Sequence, residues 1–228
     1  MKYNISAIGF DIDGTLYPAW RFNIKIMPFI LSNFKFMTAF NKARKDIRIY
    51  QEKNPNKRID DFFNFQAELI AGYLKKESQK VKTFLEEEIY ESWKYKFKHV
   101  KPYKFAKEAI IEFKNKGLKI GLLSDFLPEQ KNDVWGILPY CDAAIGSEQT
   151  GALKPSVIPF QALAKALNEP CRNILYVGNN LKYDVVGAKN AGMYTACIHR
   201  PVLNLFTKKN VNPDIYFSNY RQLLKFVL

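Results

Sequence analysis

The sequence predicts an α/β protein in which a parallel sheet lies between layers of helices and a separate helical stretch follows the first strand. Three observations predict it. Short apolar runs recur at Ile5–Phe10, Leu118–Leu123, Ala143–Gly146, Asn173–Val177 and Thr195–Ile198, each of strand length. Helix-period segments separate the later runs, the alternation that builds a three-layer parallel architecture. From about Asn23 to Phe97 the alternation stops and only helical spacing remains. With 228 residues and 47% hydrophobic content, the chain can hold one large core and a smaller insert.

The first strand runs into Asp11-Ile12-Asp13-Gly14-Thr15. Two acids this close at a strand end repel each other and cost desolvation unless they hold a cation or do chemistry. Ligands of open α/β sheets sit at that end of the strands. A plain Asp-Gly turn is the alternative. Leu16–Trp20 then leads away from the strand. Three apolar stripes follow, around Phe29–Ile47, Phe62–Leu74 and Val81–Phe97, with Asn54-Pro55-Asn56 breaking the first from the second. Stripes of this kind pack against one another, so residues 20–100 are expected to form a small helical bundle.

Pro102 marks the return. A helix is expected over Phe105–Lys116, closed by Gly117. The strand Leu118–Leu123 ends at Ser124, which alone reads equally as a cap residue. A second helix is expected over Glu129–Trp135. Lys154-Pro155 opens the helix that runs to Leu167. A cation there opposes the helix dipole unless an anion sits nearby; an exposed lysine is the alternative. After the strand to Val177 comes Gly178-Asn179-Asn180, then Asp184 and a helix of small residues ending at Gly192. Asn179 and Asn180 also suit a turn, and Asp184 a helix cap. Asn212-Pro213 precedes a short strand at Asp214–Phe217, and Tyr220–Phe226 closes with a helix.

Net charge is +13, spread unevenly: residues 17–103 hold 18 Lys and Arg against 10 Asp and Glu. A basic insert facing a site would draw in phosphate esters, though a solvated Lys-rich surface explains it as well. No zinc-finger, RNP or basic-region pattern accompanies the charge, which argues against nucleic acid as the partner. Cys141, Cys171 and Cys197 form neither a disulfide framework nor a zinc pattern, and a reducing cytoplasm is the expected compartment. No apolar run reaches membrane-spanning length, and Asp11 falls where the apolar core of a signal peptide would lie. His99 and His199 are too far apart in the chain to suggest a ligand pair.

Four segments, in order and each after a strand, resemble the motifs of the haloacid dehalogenase (HAD) superfamily: Asp11-x-Asp13-Gly14-Thr15, Ser124, Lys154-Pro155, and Gly178-Asn179 with Asp184. The resemblance covers essentially the whole chain. It implies a Rossmann-like core over 1–16 and 104–228, with a helical cap of the C1 type over 17–103. It further implies a Mg2+-dependent phosphatase acting on a small phosphorylated metabolite. In that family the residue matching Asp11 is the nucleophile and that matching Asp13 the general acid/base. The matches to Ser124 and Lys154 hold the phosphoryl oxygens, with Thr15 and Asp125 beside the substrate. Asp11, Asp13 through its carbonyl, Asn179 and Asp184 match the metal positions. Asn179 departs from the pattern, since an acid is usual there; Asn remains an oxygen ligand but is neutral. Tyr17 and Trp20, near the hinge, are candidates for substrate contact. The readings that stay open are a metal-free 2-haloacid dehalogenase, which Asp13 argues against and Asn179 followed by Asp184 keeps open, a phosphomutase, and a binding protein without catalysis. The oligomeric state is not legible.

Overall fold

The computed structural model describes residues 4–198 and 212–228. Six strands form one parallel sheet: β1 (Ala7–Phe10), β2 (Lys119–Ser124), β3 (Ala143–Gly146), β4 (Ile174–Gly178), β5 (Tyr194–Ile198) and β6 (Ile215–Phe217), in the order β3-β2-β1-β4-β5-β6. All the pairings are parallel, with Ile8 of β1 opposite Ile120 on one side and Leu175 on the other. Parallel sheets are covered on both faces, so their strands read as unbroken apolar runs, and β1 is buried at every residue. The strand order steps outward in both directions from β1 and β4, which makes the carboxyl ends of those two strands the topological switch point.

The helices are α1 (Ala19–Ser32), α2 (Phe34–Lys53), α3 (Phe62–Leu74), α4 (Ser78–Phe84), α5 (Ser92–Phe97), α6 (Ala106–Asn115), α7 (Val157–Leu167), α8 (Val186–Asn190) and α9 (Tyr220–Val227). On one face of the sheet Phe160 and Leu163 of α7 and Ala188 of α8 pack with Ala7, Leu123 and Tyr176. On the other, Ile110 and Phe113 of α6 and Leu223 of α9 pack with Ile8, Phe10 and Leu122. The expected three layers and the six strands are therefore present.

The helices α1 to α5 form the expected bundle, with two refinements. The first stripe is two helices, because Asn33 leaves helical geometry (φ −118°, ψ 34°) and its side chain donates to the carbonyl of Phe29 (3.1 Å). The third stripe carries a wider π-type turn over Leu85–Glu91, between α4 and α5. One expectation fails: Glu129–Trp135 is not a helix. A single 3-10 turn covers Pro128–Lys131, and Asn132, Val134 and Trp135 then adopt left-handed φ values of 53°, 49° and 58°. Tertiary contacts hold this costly backbone. Val134 is fully buried, and the indole of Trp135 donates to the carbonyl of Val100 (2.6 Å). His199 lies outside the described residues.

Candidate active site

Asp11 follows β1, and its backbone N–H continues the ladder to the carbonyl of Val177 (2.9 Å). The chain then turns through Gly14 at φ +88°, where a Cβ would stand 2.2 Å from the Asn179 amide nitrogen. Glycine is required there both by the left-handed backbone and by this close approach. Thr15 lies fully buried in the turn, donates to Asp11 Oδ2 (2.6 Å) and stands 3.4 Å from Asn179 Oδ1. From the far end of the chain, the Tyr220 hydroxyl donates to the Thr15 carbonyl (2.8 Å).

Lys154, read as either an anion binder or an exposed lysine, is buried. Its Nζ donates to Asp11 Oδ1 and to Asp184 Oδ1, both at 2.7 Å. The Tyr176 hydroxyl is 3.3 Å from the same nitrogen. Asp184 caps no helix; it lies within a π-type turn over Leu181–Val185 that Asn180 caps, accepting from the N–H groups of Lys182 and Tyr183. The second oxygen of Asp184 accepts from the N–H groups of Asn179 and Asn180 at 3.1 and 3.0 Å. Burial and the nearby Asp184 and Asp13 outweigh Lys154 and push the Asp11 carboxyl up to about 7. Burial works against charge on Lys154 too, but Asp11 and Asp184 hold its ammonium protonated well above the usual lysine range.

Asp13 faces the other way. Its carboxylate accepts from the Tyr17 hydroxyl (2.6 Å) and the Ser124 hydroxyl (2.9 Å), and Lys131 Nζ lies 3.0 Å away. Burial raises the Asp13 carboxyl, but Lys131 and these donors together hold it below the usual range. Lys131 and Tyr17 are neighbours of Asp13 that motif reading did not supply. Trp20, the other hinge aromatic, is half exposed and lines a separate surface hollow with Arg21 and Tyr103.

The structure thus gathers Asp11, Asp13, Thr15, Ser124, Lys154, Asn179 and Asp184 at the carboxyl edge of the sheet. Asp125 stands apart from them. Its Oδ2 accepts from Arg48 (2.5 Å) and lies 3.4 Å from Arg44 Nη2, while Oδ1 is 3.4 Å from the backbone N of Lys154. Arg48 also donates from Nε to the carbonyl of Lys154 (2.8 Å). Arg44, buried on α2, pairs with Glu148 and donates to Gln66 (3.1 Å). The Tyr90 hydroxyl donates to the other oxygen of Glu148 (3.1 Å). Two arginines of the helical insert are thereby fastened to the loops after β2 and β3.

Asp11, Asp184, Asn179 and Asp13 all offer oxygen donors, the type that could hold a hard divalent cation. Asp11 and Asp184 bring two carboxylates to one lysine, and a bound cation would relieve that surplus. Among the described residues no three His, Cys, Asp or Glu side chains converge on a metal position. Asn179 is neutral, and the Asp13 carboxylate points instead to Tyr17, Ser124 and Lys131.

Comparison with known proteins bears on the family and the fold. A family profile described as "Hydrolase: haloacid dehalogenase-like hydrolase" matches residues 5–192. The chain is 29% identical over 204 residues to a glyceraldehyde 3-phosphate phosphatase of Methanocaldococcus jannaschii, covering 85% of each chain. It is 25% identical over 226 residues to a candidate pyrophosphatase PpaX of Caldanaerobacter subterraneus, covering 98% of this chain and 94% of that one. The crystal structure of an HAD phosphatase from Thermococcus onnurineus superposes with a TM-score of 0.61 at 21% identity, covering 97% of both chains, and so shares the fold. The profile spans well over half of the sequence and takes in Asp11, Ser124, Lys154 and Asp184, and the chain belongs to the haloacid dehalogenase-like hydrolase family.

Proposed function

We propose that this hydrolase is a Mg2+-dependent phosphatase that cleaves a small phosphorylated metabolite through an aspartyl phosphate on Asp11. The observation that supports it best is the division of labour between two neighbouring acids. Asp11 is buried against Lys154 and Thr15, as a nucleophile facing phosphorus requires, while the Asp13 carboxylate sits among Tyr17, Ser124 and Lys131 at the cavity floor. Displacing a halide from carbon has no use for the second acid.

A carboxylate oxygen of Asp11 attacks phosphorus, and the bond from phosphorus to the leaving oxygen breaks. Asp13, protonated for this step, gives its proton to that oxygen. Water then attacks the aspartyl phosphate, Asp13 takes the water proton, and phosphate leaves with Asp11 restored. The donors around Asp13 favour its carboxylate, the form that the water-activating step uses. Ser124 and Lys154 bind phosphoryl oxygens. Mg2+, held by Asp11, Asp184, Asn179 and the Asp13 carbonyl, would offset the charge of nucleophile and substrate.

In this reading residues 17–103 are a cap over a core of residues 1–16 and 104–228, and Thr15 and Asp125 complete the substrate surroundings. Asp125 does so indirectly, by fixing Arg48. The partner is a small molecule rather than nucleic acid. Among the described residues no helix is long and apolar enough to cross a membrane. The three cysteines are free, which fits a reducing compartment such as the cytoplasm. The test is a panel of phosphate esters and 2-haloacids, assayed with Mg2+ and with EDTA. Phosphate release that EDTA abolishes is the expected result. Halide release that EDTA leaves unchanged would reverse the assignment.

A further inference from the structure

The helix α1 is apolar on two opposite faces. Phe22 and Ile26 are buried on one face and line a cavity of about 580 Å³ between the helical insert and the core, above Asp13. On the other face Trp20, Ile24, Met27 and Leu31 follow one another at steps of four, three and four residues, the spacing that keeps side chains in one line along a helix. Phe34, just past the break at Asn33, is the next large apolar residue left open. All five are between 45% and 68% exposed. A surface helix ordinarily turns a polar face to water. Single exposed apolar residues are common, but a row of five marks a contact surface.

The surroundings of this row are basic. Residues 14–45 contain six Lys and Arg and no Asp or Glu. Lys25 follows Ile24 and Lys35 follows Phe34, and both are exposed. The hollow that Trp20 lines also holds Arg21 and Lys104. At the far end of the row, a hollow beside Asn33 and Phe36 holds Lys75, Lys76 and Lys80, and its one acid, Glu77, is paired with Lys80 at 3.0 Å. A partner that covers this face must therefore be apolar where it meets the row and anionic around it. A second copy of the chain supplies the first but not the second, because two such faces would press like charge on like charge.

We propose that this face of α1 docks on an anionic lipid bilayer, lying in the plane of the surface. The apolar row enters the boundary between headgroups and acyl chains, and the lysines meet the headgroup phosphates. Trp20 suits that boundary, since its ring is apolar and its N–H needs a wet partner. Long lysine stems let the ammonium groups stay among the headgroups while the row is immersed. The docking does not depend on the reaction at Asp11, because the cavity lies on the other side of the helix.

The experiment sediments the protein with sucrose-loaded vesicles of phosphatidylcholine, alone or with about one-third phosphatidylglycerol. Binding to the anionic vesicles is expected, falling steeply as salt is raised, with binding to the neutral ones roughly tenfold weaker. Ile24→Ser combined with Leu31→Ser, both at exposed positions, is expected to lower the partition coefficient on the order of tenfold or more. Lys25→Gln combined with Lys35→Gln should lower it roughly tenfold on the anionic vesicles. Absence of binding to anionic vesicles overturns the proposal, and so does binding that is equal on neutral vesicles or that the serine pair leaves unchanged. Sedimentation velocity without lipid tests the rival occupant: a dimer that the serine pair splits would give the face to a second copy and overturn the bilayer. Should the serine variant fail to fold, the unaltered protein decides. Lipids brominated on their acyl chains should quench the emission of Trp20, read as the difference from Trp20→Phe, and its persistence unquenched overturns the proposal.

Discussion

Two buried ionic clusters lie close together in this protein, and they are built on opposite principles. Around Asp11 there are three carboxylates, Asp11, Asp13 and Asp184, and two ammonium groups, on Lys154 and Lys131. Between the helical insert and the core, Arg44 and Arg48 face Asp125 and Glu148, charge for charge. The first cluster is unbalanced and the second is complete. An unbalanced cluster is costly in isolation and fits a site that a cation and a phosphoryl group will enter. A complete one holds two parts of the chain in register. Carboxyl pKa values do not follow this division: burial leaves Asp11 raised to about 7 while Lys131 and its other donors hold Asp13 low, and in the second cluster Arg48 and Arg44 hold Asp125 low while burial raises Glu148.

The contrast breaks most sharply at Asp11. Asp11→Asn is expected to lower turnover on the order of 10⁴-fold or more while the protein stays folded, since the proposed nucleophile is gone and the cluster has lost a repelling charge. Phosphate release within about tenfold of the unaltered enzyme, from a protein with native circular dichroism, would refute the aspartyl-phosphate route. Asp13→Asn should reduce kcat by roughly 10²–10⁴ with little change in KM, because its proposed task is proton transfer. A loss carried entirely by KM would make Asp13 a binding group instead.

The balanced cluster should respond in stability. Arg44→Met strands Glu148, which is almost wholly inaccessible, and is expected to cost about 3–5 kcal/mol in urea unfolding. Adding Glu148→Leu should recover most of that loss, since removing both charges avoids a stranded ion. A double variant no more stable than the single one would mean that packing, and not charge balance, carries the contact.

The smallest effect is expected at Asn179. Asn179→Asp adds a negative charge at the proposed metal position and should lower the Mg2+ concentration for half-maximal activity by several-fold. Tighter Mg2+ binding with turnover lost would assign Asn179 to positioning substrate or water.

The two clusters also differ in how far the sequence announces them. Asp11, Asp13, Ser124, Lys154 and Asp184 are each tied to the end of a strand or the start of a helix, so local pattern places them and the fold brings their loops to one edge. Arg44 and Arg48 sit on α2, about a hundred residues in sequence from Glu148 and Lys154, the partners they reach by packing alone. Nothing in their neighbourhood on α2 marks them out from the other basic residues of that helix. Lys131 was hidden for a further reason. The stretch Glu129–Trp135 has the composition of a helix, but buried Val134 and the bond from Trp135 to Val100 impose left-handed backbone at three residues. Tertiary packing overrode local preference, and the turn it made carries Lys131 to Asp13.

The bond from Tyr220 to the Thr15 carbonyl joins positions 205 residues apart in sequence. The loop after β1 is thus shaped by β2 on one side, β4 on the other and α9 against its carbonyl. None of these contacts is local, so the shape of Asp11-Ile12-Asp13-Gly14-Thr15 depends on closure of the whole sheet. A fragment cut before α9 would hold every motif and still leave this loop without its anchor.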